Sequence, residues 1–342
     1  MKLEDIAKLA GVSKGAASLA LNNKSGVSEE TRKKVLEIAR EANYTPLRQK
    51  KKHQISEQEF EPKIIYFVAC QSEEIVTQSY QNQPFFDELL TAIATEARKK
   101  GNISLALRTI DHLNIRDNIL NLYKENKMDG IILLATSLET NEIKSIEELH
   151  IPLVLLDTCV PECNINFVTI NNFQGGYLAG KQICKRQYNS IGYAQSETRI
   201  YNFEERKEGL FKALSENELS ISEENIFTFS PTKIEIDETM MREQFIKPNQ
   251  PQVIFCDNDY IAISLIKTLN ALSIKVPEDI AVIGFDNIRE SSVLTPELST
   301  INVSKHLMAQ TALNQILEVI EDSNNKQHIY IGTNFVKRES FY

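Results

Sequence analysis

The sequence predicts a multidomain protein: a small all-α headpiece of helix–turn–helix type, followed by an α/β domain of two lobes built on parallel sheets. Two short helical patterns, Leu3–Ala10 and Lys14–Leu21, flank the tight turn Gly11-Val12-Ser13. Beyond Pro62, short continuous apolar runs alternate with helical stretches, the pattern of strands covered on both faces. The charge is also divided. Residues 1–54 hold 12 Lys/Arg against 6 Asp/Glu, net +6, so with −9 for the whole chain the remainder sums to −15. A basic head on an acidic body fits phosphate contact confined to one end.

In a helix–turn–helix the second helix stands out from its neighbours, free to enter a DNA major groove. A third helical pattern runs from Ser28 to Ala42, with Val35, Ile38, Ala39 and Ala42 on one face. Ser28 suits its N-cap, and Glu29 and Glu30 suit the positive end of the dipole. Tyr44-Thr45-Pro46 stops this helix. From Leu47 to Pro62 nearly every residue is polar, with Lys50-Lys51-Lys52 ahead of Glu57, Glu59 and Glu61, which reads as a linker unable to bury a core. Strand-like runs follow at Ile64–Ala69, Gly130–Ala135, Leu153–Leu156, Ser190–Ala194, Val253–Cys256 and Ile280–Ile283. Helical patterns lie between them at Phe86–Gly101, Gln174–Gln187, Phe203–Ser215, Asp259–Leu272 and Lys305–Glu321. There are about ten strand candidates, more than one compact sheet of this type usually carries, so two lobes are expected.

Several classes are excluded. The cysteines Cys70, Cys159, Cys163, Cys184 and Cys256 are odd in number and mostly scattered, as expected of free thiols in a reducing compartment. The Cys159-x-x-x-Cys163 spacing lacks the second ligand pair of a structural zinc site. The N-terminus has no apolar signal core and no run reaches membrane-spanning length, so a cytoplasmic protein without membrane partners is expected. Catalysis is not expected either. No nucleophile–base pair, phosphate loop or metal cluster stands out, and His112, His150, His306 and His328 fall in unrelated segments. No cofactor is anticipated.

Four stretches then carry a resemblance. The head Glu4-Asp5-Ile6-Ala7-Lys8-Leu9-Ala10-Gly11-Val12-Ser13, with Leu21-Asn22-Asn23 and Val27-Ser28-Glu29-Glu30-Thr31-Arg32, resembles the DNA-binding domain of LacI/GalR repressors. Pro84-Phe85-Phe86-Asp87-Glu88-Leu89 resembles the first pocket loop and helix of their effector domain. Val276–Asp286 (VPEDIAVIGFD) and Leu294–Thr300 (LTPELST) resemble two of its most specific signatures. The resemblance spans nearly the whole chain. It implies a homodimeric transcription regulator, by default a repressor, that binds double-stranded operator DNA. The effector domain would be periplasmic-binding-protein-like, two lobes joined by three crossovers around a ligand cleft. Expected bounds are 1–46 for the headpiece, 47–61 for the linker and 62–342 for the effector domain. Within the last, 62–170 plus 303–330 would form lobe one, and 171–302 plus 331–342 lobe two. A solute-binding protein would share the body, but would carry a signal peptide and no DNA head.

By this resemblance Lys14 and Gly15 face base edges, and Ser13, Ser18 and Asn22 face phosphate. Lys14 can donate to guanine. Leu19 stands where many members carry arginine, and a leucine can at most touch a thymine methyl. The linker Pro46-Leu47-Arg48-Gln49-Lys50-Lys51-Lys52-His53 lacks the leucine that family members wedge into the minor groove, which leaves bending open. Lys50, Lys51 and Lys52 are candidate phosphate contacts, or else a solvated tether.

A sugar pocket needs carboxylates and amides for hydroxyl pairs, a guanidinium fork and an aromatic wall. The positions matching the family's pocket are Asp157, Arg206, Asn258 and Asp286, each expected at a strand's carboxyl end or in a helix's first turn, with Phe85 and Phe86 as the aromatic wall and Gln83 as a further polar contact. Plainer roles stand beside these. Asp259 would cap the following helix with Asn258 in that turn, Phe85 and Phe86 would be core, and Asp157 would pair with Arg206. Thr158 stands where several sugar binders carry an arginine. A neutral sugar is the first expectation; a nucleobase, or control by a partner protein, is the alternative.

Overall fold

Gly11, Ser13 and Ser28 punctuate the N-terminal unit. The computed structural model describes residues 2–22, 24–42, 44, 61–234, 244–245 and 250–342. The chain divides into two units, Met1–Glu61 and Pro62–Tyr342. In the first, α1 (Leu3–Ala10) ends at Gly11, whose φ of 68° is cheap only for a residue without Cβ. Ser13 caps α2 (Lys14–Leu21) by accepting from Ala16 N at 3.1 Å, and Ser28 caps α3 (Glu29–Glu41) by accepting from Thr31 N. Ile6, Ala17, Ala20, Leu21, Val35 and Ala39 bury a small core between the three helices. Alanines at the contacts let the helices approach closely.

The second unit holds two six-stranded sheets. The first contains β1 (Lys63–Gln71), β2 (Ile103–Asp111), β3 (Gly130–Leu134), β4 (Leu153–Leu156), β5 (Asn166–Ile170) and β11 (His328–Ile331), in the order β11-β5-β4-β3-β1-β2, all parallel. Side chains alternate across it. Ile65, Phe67, Ile132, Leu134, Val154 and Leu156 pack with α4 (Pro84–Lys100) and α10 (Lys305–Glu321). Tyr66, Val68, Ile131, Leu133, Leu153 and Leu155 pack with α5 (Ile115–Glu125) and α6 (Thr140–Glu147). Strands covered on both faces have to be apolar throughout, which is why these runs were visible in the sequence.

The second sheet contains β6 (Ile191–Ser196), β7 (Ile226–Phe229), β8 (Val253–Cys256), β9 (Ala281–Asp286), β10 (Ser299–Asn302) and β12 (Asn334–Val336), in the order β12-β10-β9-β8-β6-β7. Here α7 (Asn172–Cys184), α8 (Tyr201–Ser215) and α9 (Asp259–Ala271) pack against the strands. Two expectations need correction. Twelve strands are present among the described residues, not about ten, and β12 runs antiparallel to β10. β12 has three residues, too few to display a period.

The chain passes between the sheets after Ile170, after Asn302 and after Ile331. The last passage follows Ile331, which pairs with Ile170. The crossovers are tied together: Asn171 N donates to Ile331 O at 2.8 Å, and Asn302 Nδ2 donates to Asn334 Oδ1 at 3.0 Å. Far from them, Thr198 Oγ1 donates to Glu74 Oε2 at 2.6 Å and Thr232 Oγ1 donates to Glu74 O at 3.3 Å. Loops of the two sheets therefore meet across the gap.

Candidate functional site

Parallel sheets concentrate backbone ends at one edge, and a ligand site forms outside the strands' carboxyl ends. The two sheets present these edges to each other across a narrow cleft of about 50 Å³. Thr136 follows β3, Asp157 follows β4, Asn258 follows β8, and Asp286 ends β9. Gln83, Phe85 and Phe86 come from the start of α4, and Asn202, Phe203 and Arg206 from α8. All seven ligand candidates line this one cleft. Arg206 sits in the second turn of α8 rather than the first.

Arg206 is 3% exposed and fixed on three sides. Its Nε donates to Asn172 Oδ1 at 2.9 Å, its Nη1 donates to Asp257 O at 2.6 Å, and its Nη2 lies 3.3 Å from Asp286 Oδ1. The guanidinium also stacks 3.7 Å from the centre of the Phe285 ring. Its ion-pair partner is thus Asp286, and not Asp157 as the plainer reading had it. Asp157 accepts instead from Thr136 Oγ1 at 2.9 Å and, on its other oxygen, from Asn202 Nδ2 at 3.3 Å. Burial pushes the Asp157 carboxyl up to about 7, with the Thr136 bond and the Arg206 charge pulling the other way. Burial also raises Asp286, opposed first by Arg206 and then by Lys305.

Asp157 has φ of 63° and Asp286 φ of 110°, positions where L residues are sparse. Such strain persists only where the surroundings enforce it, and it collects at working sites. Three cleft atoms are buried with no hydrogen-bond partner in the protein, Gln83 Oε1, Asn202 Oδ1 and Tyr260 Oη, and Asp286 Oδ1 has only its ion pair with Arg206. Leaving such groups unpaired costs about 1–3 kcal/mol each, so their convergence on one cleft points to a bound molecule that satisfies them.

The plainer roles hold for part of the set. Asn258 lines the cleft, but its amide is spent: Oδ1 caps α9 by accepting from Ile261 N at 2.9 Å, and Nδ2 donates to Pro231 O at 2.8 Å. Asp259 is not the cap. Its buried carboxylate accepts from Ser291 Oγ, Thr300 Oγ1 and Ile288 N, which shapes the turn after Asp286. Phe85 and Phe86 belong both to the core and to the cleft wall. Sequence reasoning missed Thr136, Asn202 and Tyr260. It also missed Asp257, whose carboxylate holds Arg199, Tyr193 and Ser196 N while its carbonyl holds Arg206. The strand-end position of Thr136 and Asp257 was the available signal.

In the headpiece, Lys14 and Gly15 open α2 and are exposed. Lys14 Nζ pairs with Glu4 Oε1 at 2.5 Å. Ser13 Oγ serves as the cap, and Asn22 Nδ2 donates to Ser18 O at 2.8 Å. Leu19 is half-buried against Gly26. Lys50, Lys51 and Lys52, with the rest of 45–60, lie outside the described residues. Among the described residues no group of acidic, histidine or cysteine side chains could hold a metal, and no helix is long and apolar enough to cross a membrane.

Comparison with known proteins follows this division. Residues 2–46 match the profile described as bacterial regulatory proteins, lacI family, and residues 181–341 match a periplasmic binding protein-like domain. A probable HTH-type transcriptional repressor ExuR of Bacillus subtilis is 30% identical over 346 residues, covering 99% of this chain and 97% of that protein. The HTH-type transcriptional repressor PurR of Aliivibrio salmonicida is 27% identical over 337 residues, covering 96% and 95%. Among solved structures, the lac repressor dimer bound to operator and the anti-inducer ONPF superposes with a TM-score of 0.68 at 21% identity, covering 99% of this chain and 98% of that one. That likeness establishes the shared fold.

Proposed function

The chain belongs to the lacI family of bacterial regulatory proteins, and from that premise we propose that its cleft binds a neutral sugar that controls operator affinity. It is a DNA-binding transcriptional repressor and not an enzyme. Repressors of this family bind operator DNA and small-molecule effectors and act as dimers.

One observation carries the choice of effector. Two of the three unpartnered cleft atoms, Gln83 Oε1 and Asn202 Oδ1, are acceptors, and the third is the Tyr260 hydroxyl. An effector that satisfies them supplies donors, which a polyhydroxylated ring does and a phosphate does not. Phe85, Phe86 and Phe203 offer apolar faces for the ring's C–H surface. Arg206, the cleft's guanidinium, is already occupied, so an anionic effector would gain little from it. The aromatic walls also suit a nucleobase, which makes nucleobases the competitors to screen.

On the DNA side, Lys14 and Gly15 read base edges, with Leu19 replacing a guanine-reading arginine. Ser13, Ser18 and Asn22 hold phosphate, and Lys50–Lys52 add contacts that are indifferent to sequence. The headpiece 1–46, linker 47–61 and effector domain 62–342 divide these tasks.

A thermal-shift screen of sugars, sugar phosphates and nucleobases tests the effector. A sugar at about 100 times its Kd adds roughly 2.7 kcal/mol, a rise of several degrees. The expected result is a rise with a neutral sugar that Asp286→Ala abolishes. A rise confined to nucleobases or phosphates would overturn the reading.

A further inference from the structure

Lys305 is an unexpected residue for its place. It opens α10, where the helix dipole disfavours a cation, and it is 6% exposed. Three partners account for its ammonium. Nζ donates to Asp286 O at 2.6 Å and to Asn287 O at 3.0 Å, and it pairs with Glu88 Oε2 at 3.2 Å. The other oxygen of Glu88 accepts from Arg289 N at 3.1 Å.

The two gripped carbonyls belong to consecutive residues with φ of 110° and 53°, so Lys305 holds a backbone turn that L residues seldom adopt. Glu88 lies on α4 and belongs to the first sheet's layer, whereas Asp286–Arg289 follows β9 of the second sheet. Lys305 itself sits just past the second crossover. The ammonium therefore pins both sides of the cleft together directly behind the carboxylate that faces it. A buried ammonium stripped of its partners is costly, so the three contacts hold or fail as a set. Further along, α4 and α10 pack against each other, and Glu96 on α4 accepts from His306 Nε2 on α10 at 2.7 Å.

We propose that Lys305 is a positioning residue for effector recognition. Braced by Glu88, it fixes the Asp286–Asn287 turn so that the Asp286 carboxylate faces the cleft, and it makes α4 and α10 respond to whether that carboxylate is occupied. This rests on the cleft being the effector site.

The test uses the full chain and the variants Lys305→Met, Lys305→Arg and Glu88→Gln. Hydrogen exchange without any sugar reads the brace directly. Lys305→Met is expected to speed exchange about tenfold or more in residues 286–290 and 84–90, with the rest of both lobes within about twofold. Glu88→Gln does the same to a smaller degree, and Lys305→Arg restores near-native protection. Calorimetry with D-ribose, D-glucose, D-galactose and cellobiose then reads recognition. For whichever of these the unaltered protein binds, Lys305→Met weakens affinity by about 10–100-fold and Lys305→Arg by less than about threefold. Exchange that is unchanged in Lys305→Met, or raised evenly over both lobes, would overturn the proposal by leaving Lys305 irrelevant or a packing residue only. If the unaltered protein binds none of the four, the exchange pattern alone decides the brace.

Discussion

Asp157 is held between two sheets with its carboxyl raised to about 7 by burial. An unfolded chain would ionise it near pH 4, so the folded state binds the extra proton between those values. Stability from this group is thus present below about pH 4 and lost as pH rises through about 7. Asp259, also raised to about 7 by burial, acts in the same window. The sugar-free protein is therefore expected to lose thermal stability between about pH 4 and pH 7, and Asp157→Asn to flatten part of that slope. Hydroxyls of a bound sugar would favour the ionised carboxylate, so the stabilisation it adds grows as pH rises through the same window. Melting curves across this range check both points; an unchanged slope in Asp157→Asn would count against the burial argument. At this scale the sequence was partly legible. Asp286 stood out through its Gly-Phe-Asp context, but Asn202 and Tyr260 sit in helices of ordinary composition, where only the fold gives them a shared cavity. Asp259 was misread because a polar residue opening a helix looks like a cap whether or not its neighbour Asn258 has taken that role.

At the scale of elements, α7 and α8 cross with backbone against backbone. A Cβ on Gly176 would lie 1.9 Å from Arg206 O, and one on Gly209 would lie 2.0 Å from Phe173 O. Since α8 carries Asn202 and Arg206, this contact sets how deep both side chains reach. Gly176→Ala or Gly209→Ala has to push the helices apart, at a cost of about 3 kcal/mol or more, which lowers Tm by roughly 5–10 °C. Calorimetric melting measures the loss, and sugar affinity should fall with it; a native Tm in both variants would contradict the close crossing. The bounds of α1 and α2 were legible because Gly11 and Ser13 terminate and start helices by their own chemistry. By contrast β2, a strand on the sheet's edge with Leu107 and Arg108 exposed, has no continuous apolar run to mark it.

For the whole molecule, a basic three-helix unit is joined to an acidic two-sheet domain whose loops meet across an internal cleft. An effector shifts such a system only by its difference in affinity between states, typically about 1–3 kcal/mol, or 5–150-fold in operator affinity. The two-sheet body was legible from strand–helix alternation, while the polar braces between the sheets, Glu74–Thr198 and Glu88–Arg289, were not. They join residues more than a hundred positions apart and have no local pattern. The most direct measurement is operator affinity, on DNA selected by the full chain from a random pool, with and without the sugar found by thermal shift. The expected result is a change of about fivefold or more in the unaltered protein and none in Asp286→Ala, while Lys14→Ala loses discrimination among sequences whether or not sugar is present. Operator affinity that stays the same at saturating sugar would contradict the account.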